Sequence, residues 1–112
     1  MSTRPNRPHG LPDPLLQQLN AAREALLDVH KSLLDEERAR YELTEGTIDG
    51  SYHFLQLVIG DPWFAWLRPM SSLIVAIDEL LASRQPVFPA DAESLLDRSR
   101  VLLTSARPGE AP

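Results

Sequence analysis

Residues 54–69 read FLQLVIGDPWFAWLRP, and the fold turns on how this stretch is read. Its first half is a short apolar run, which fits either a strand or a buried helix. A strand needs a partner strand, and nothing else in the chain offers one. The run is therefore read as a short second helix, capped by Asp49 or Ser51 and reaching Ile59. Phe54, Leu55, Leu57, Val58 and Ile59 leave it almost no polar face, which predicts a helix buried on most sides. Gly60 stops it. Asp61-Pro62 then signals a new start, because Asp caps free backbone N–H groups and proline is tolerated at the first helical position. Pro69 either kinks the helix that follows or starts another.

Upstream, Asp13-Pro14 gives the same start signal, and a helical pattern runs from there to about Leu43. Leu15, Leu16, Leu19, Leu26, His30, Leu33, Leu34 and Tyr41 recur near one face. On the outer face Asp35–Arg38, Glu36–Arg40 and Arg38–Glu42 are spaced as ion pairs, each contributing a few tenths of a kcal/mol. Gly46 ends this helix in a turn. Downstream, Met70, Leu73, Ile77, Leu80 and Leu81 form the main stripe of a third helix reaching Arg84. Ile74 and Val75 widen that stripe, so the helix should be central or at a subunit interface. Gln85 to Pro89 is a loop. A last helix from about Ala90 to Ser105 carries Leu95, Leu96, Leu102 and Leu103, with Ala92 and Ser99 as small contacts. Asp91 and Glu93 in its first turn suit the helix macrodipole.

The expected fold is all-α: an antiparallel four-helix bundle-like domain over 13–106, with a third helix kinked or split at Pro69. Residues 1–12 and 107–112, rich in proline and poor in apolar surface, are expected to be disordered tails. The ten prolines, which first look hostile to helices, mostly mark helix ends or fall in these tails. A first helix of about 30 residues would reach about 45 Å. It outruns the others, so part of it overhangs or lies beside the broken pair at Gly60 and Pro69. An overhanging apolar stripe points to a homodimer.

Composition narrows the function. A chain of 112 residues makes one domain. It has no cysteine, which excludes disulfides, thiolate-ligated metals and thiol catalysis. A net charge of −5 argues against a nucleic-acid binder. The most apolar region, Phe54 to Leu81, is broken by Asp61, Arg68, Asp78 and Glu79, so no membrane span is expected. The first ten residues lack the apolar run of a secretory signal, and a cytoplasmic location is the expectation.

The block Asp61 to Pro69 holds both tryptophans. In a continuous helix Trp63 and Trp66 would share a face with Met70 and Leu73, and Phe64 would point away. Arg68 could stack on a ring or clamp an acidic group. The block is either an aromatic-walled pocket or docking surface, or a core corner filled by large rings. His30 lies within the apolar stripe, with Glu37 two turns further on. It could ligate metal or haem, or be a core histidine with a polar neighbour. The di-iron Glu-x-x-His pattern fails, since Leu27 and Gly50 stand where Glu is needed. Asp49–His53 is a two-ligand spacing at most. Met70 as a haem ligand opposite His30 has no further support. No cofactor is implied. Phosphate loops are missing, Ser71-Ser72 lacks a local base, and Glu36-Glu37 and Asp78-Glu79 read as solvated faces. Asp78 could pair with Arg38 or Arg40 from another helix.

Residues 54–69, continued by LIVAIDE at 73–79, resemble a family of small uncharacterised helical bacterial proteins; DVHKSLLDEE at 28–37 agrees more loosely. The resemblance covers about half the chain. It implies a bacterial source and a helical fold, and brings no activity, cofactor or site residue. The expectation is a non-enzymatic cytoplasmic bundle acting by protein–protein contact, as a homodimer with a further protein partner open. The alternative is a ligand-, haem- or metal-binding sensor whose pocket is lined by His30, Trp63, Trp66 and Arg68.

Overall fold

Helix ends fall where proline, glycine and aspartate put them. The computed structural model describes residues 10–105. Helix α1 (Asp13–Glu45, 33 residues) follows Pro12, whose carbonyl accepts the Leu16 N–H at 3.0 Å. It stops at Gly46, where φ is +111°, a conformation that disfavours any side chain. Helix α2 (Gly50–Gly60) ends at Asp61, whose carboxylate accepts the Trp63 N–H at 2.9 Å and opens a 3-10 helix (Pro62–Leu67). Helices α3 (Arg68–Leu81) and α4 (Pro89–Ser105) complete the described residues.

Pro69 splits the third helical segment; it does not kink a continuous helix. It sits in the first turn of α3. In a continuous α-helix residue 69 would donate to the Ala65 carbonyl, and proline has no N–H and crowds that oxygen. The Ala65 carbonyl accepts the Arg68 N–H instead, the tighter i→i−3 pattern of a 3-10 turn.

The fold is all-α and bundle-like, as expected. Helices α1, α3 and α4 pack on one another. Arg23 of α1 pairs with Asp78 near the end of α3, so these two run antiparallel. Helix α4 returns alongside α1 in the same sense: Gly10 abuts the Val87 carbonyl, and Leu15 and Gln18 share a groove with Glu93 and Leu96. Leu19, Leu26, Leu33, Leu73, Ile77 and Ala92 fill the interior at no more than 1% exposure. The far half of α1 outreaches this trio and carries the 3-10 helix, on which α2 packs. At about 50 Å, α1 accounts for the long axis of a 57 × 27 × 18 Å molecule.

Four expectations change. Helix α2 has no buried residue at all, whereas burial on most sides was expected. Its apolar residues are split between two faces, and only one face has something to pack on. Asp78 pairs with Arg23, since the antiparallel register leaves Arg38 fifteen residues away, roughly 22 Å along α1. Asp35 pairs with Lys31 at 3.0 Å and not with Arg38, which reaches Glu42 at 3.8 Å. Residues 1–9 and 106–112, most of the two tails, lie outside the described residues. Of the first tail Gly10 to Pro12 is described, and Leu11 is a core residue at 4% exposure.

Candidate functional site

The aromatic block forms the junction between α1, α2 and the 3-10 helix. Three residues per turn, instead of 3.6, change which ring faces inward. Phe64 and Leu67 stack one turn apart and are buried at 0% and 2% exposure, with Met70 below them at 3%. Phe64, expected to point away, is therefore the centre of the cluster. Its ring lies 5.7 Å from Phe54 in a T-shaped contact and 5.8 Å from Tyr41. Tyr41 also meets Trp63 edge-on at 5.4 Å. Trp63 and Trp66 occupy the neighbouring row and are only half-buried. The rings fill space between helices, which is the core-corner reading of this block.

Arg68 has an internal role. Its Nη2 donates to the Asp61 carbonyl at 2.7 Å and its Nε to the Val58 carbonyl at 3.2 Å. It thereby satisfies the Val58 carbonyl, which has no helical donor because Pro62 lacks an N–H, and adds a second donor to the Asp61 carbonyl, which also accepts the Phe64 N–H at 3.1 Å. The cation that stacks on a ring is Arg38, 4.9 Å above Phe54.

The other expected site residues do not converge with these. Glu37 is buried at 7% and bound by Arg40 at 3.1 Å on its own helix. His30 lies two turns before it. Its Nε2 is buried without a hydrogen-bond partner among the described residues, and burial pushes its pKa below the ordinary 6.5. Trp63 Nε1 is buried and unpartnered in the same sense. The Asp49–His53 spacing resolves as a backbone contact: His53 Nδ1 accepts the Asp49 N–H at 2.9 Å. Among the described residues no group of three or more His, Asp or Glu side chains is placed to hold a metal ion. None of the helices described is long and apolar enough to cross a membrane. Two open grooves flank the first half of α1, away from the aromatic block. One, of about 370 Å³, is lined by Leu16, Asn20, Asp78, Leu81 and Ala82; the other, of about 320 Å³, lies between α1 and α4.

The most unusual surface is one the sequence reading left inside. Tyr52, Leu55 and Ile59 of α2 are 72%, 53% and 66% exposed. At 100° per residue they share an arc with Gln56, whose amide donates to the Tyr52 hydroxyl at 3.0 Å. Phe54, Leu57 and Val58 occupy the opposite side, half-buried against the core. A helical projection of 52–59 separates the two groups. Since both are apolar, hydrophobic pattern gives no sign of which one is covered.

No family model, curated protein or solved structure matches the chain, so the roles of these residues rest on their geometry.

Proposed function

We propose that this chain is a non-enzymatic helical module that acts by protein–protein contact, as a homodimer. The observation that supports this is the outer face of α2, three large apolar side chains left in water on one short helix. Single exposed apolar residues are ordinary on a protein surface; a contiguous set on one element marks a contact surface. The aromatic cluster supports the same role indirectly. Phe64, Phe54 and the Arg68 bonds fix α2 to the body and so hold its outer face in place. The proposed location is the cytoplasm. Sedimentation velocity at micromolar concentration tests the reading: a species of twice the chain mass is expected, and a strict monomer would remove it.

The sensor reading draws on two observations, the unpartnered His30 Nε2 and Trp63 Nε1. Against it, the ring cluster is filled by its own side chains, and Arg68 and Glu37 are already bound within the chain. Native mass spectrometry with an absorption spectrum decides: bound metal or a chromophore at stoichiometric yield would favour the sensor.

A further inference from the structure

We infer that the partner covering α2 is the α2 of a second copy, the two outer faces meeting about a two-fold axis. This deepens the homodimer reading above and rests on it. The chain carries 27 charged residues in 112, yet none falls among the eleven of α2, GSYHFLQLVIG. A two-fold contact sets a surface against itself, so any charge near the axis meets its own like. An uncharged face escapes that cost. An acidic or basic partner would find no ion on this face to pair with, and a nucleic acid would find no cation. Tyr52, Leu55 and Ile59 together expose on the order of 400 Å² of side chain, about half of the ~800 Å² per partner in a stable interface. Leu43, 88% exposed, lies near the end of α1, ahead of the turn into α2. Among the described residues the remaining large exposed side chains are scattered over different elements: Leu27 on α1, Val75 on α3, Phe88 ahead of α4, Val101 on α4.

The absence of cysteine makes the contact directly testable. Tyr52→Cys, Leu55→Cys and Ile59→Cys place one thiol each on the outer face; Val75→Cys and Phe88→Cys serve as equally exposed controls. A disulfide needs Cα atoms about 4.4–6.8 Å apart, which residues near a two-fold axis meet with their own copies. Mild oxidation should link at least one α2 variant into a dimer about tenfold faster than either control. Leu55→Glu sets like charges face to face and should give a monomer with an unchanged helical circular-dichroism spectrum. A wild-type dimer that links faster through Val75 or Phe88, or that survives Leu55→Glu, would overturn the α2 contact while leaving the homodimer standing. A wild-type monomer with no preferential linking at α2 would remove both.

Discussion

Phe64 shows how one residue can be misplaced by a small change in helical pitch. In an α-helix it would face away from Met70; in the 3-10 turn ahead of Pro69 it faces the core between Tyr41 and Phe54. Phe64→Ala should therefore cost about 3–5 kcal/mol in a denaturant titration, the usual range for a fully buried ring. Trp66→Ala, at a half-buried position, should cost clearly less; the reverse order would contradict the 3-10 register. His30 makes a second prediction. Its neutral form is favoured in the fold, whereas the unfolded chain takes up a proton as pH falls through about 6.5. The unfolded state then binds more protons, so stability is full above that value and declines below it. Thermal melts between about pH 7.5 and 5.5 should show this decline, and His30→Leu should flatten it. A wild-type melting point constant over the window would sink the prediction. Neither result could be read from the sequence. His30 sat visibly in an apolar stripe, but whether its ring nitrogen finds a partner depends on helices distant in the chain.

The elements were legible where local chemistry sets them. Asp-Pro pairs at 13–14 and 61–62, Gly46, Gly60 and Pro89 stand at or next to helix ends because their effects act within one turn. Helix α2 was legible as a helix and misread in its surroundings. Its two faces are both apolar, so periodicity alone predicts burial all round, yet among the described residues its main packing partner is the 3-10 helix. That makes Arg68 the tie that holds α2 in place. Arg68→Ala leaves the Val58 carbonyl without its side-chain donor and the Asp61 carbonyl with the Phe64 N–H alone, and the side chain is partly solvated. A loss of about 1–2 kcal/mol follows. Hydrogen exchange should localise it: amides of α2 should lose protection, and those of α1 and α3 should not. The turns give a similar test. Gly46→Ala adds a side chain at φ +111°, ψ 173° in open space, costing about 1–3 kcal/mol by backbone strain alone. At Gly10 a Cβ would also fall 2.5 Å from the Val87 carbonyl, so Gly10→Ala should lower the melting temperature further.

At the scale of the whole molecule, the proposed dimer contact and the net charge oppose each other. Each copy carries −5, but the contact itself holds no charge. Added salt screens the mutual repulsion and has no interfacial ion pair to weaken. Association measured by sedimentation should hold or strengthen from about 0.05 to about 0.5 M sodium chloride; weakening over that range would point to an ionic contact elsewhere. The pairing of Asp78 teaches the same lesson about distance. Its need for an arginine was visible, but the choice of Arg23 over Arg38 or Arg40 follows from the antiparallel register of α1 and α3. The sequence by itself determined the all-α class, the length of α1 and most helix boundaries, because capping, proline geometry and 3.6-residue periodicity are short-range effects. Tertiary structure alone decided that Pro69 splits the helix, that Phe64 and not the tryptophans centres the aromatic cluster, and that α2 keeps an apolar face in water. Each of those outcomes depends on which surfaces remain available once α1, α3 and α4 have packed, and that is a property of the assembled core.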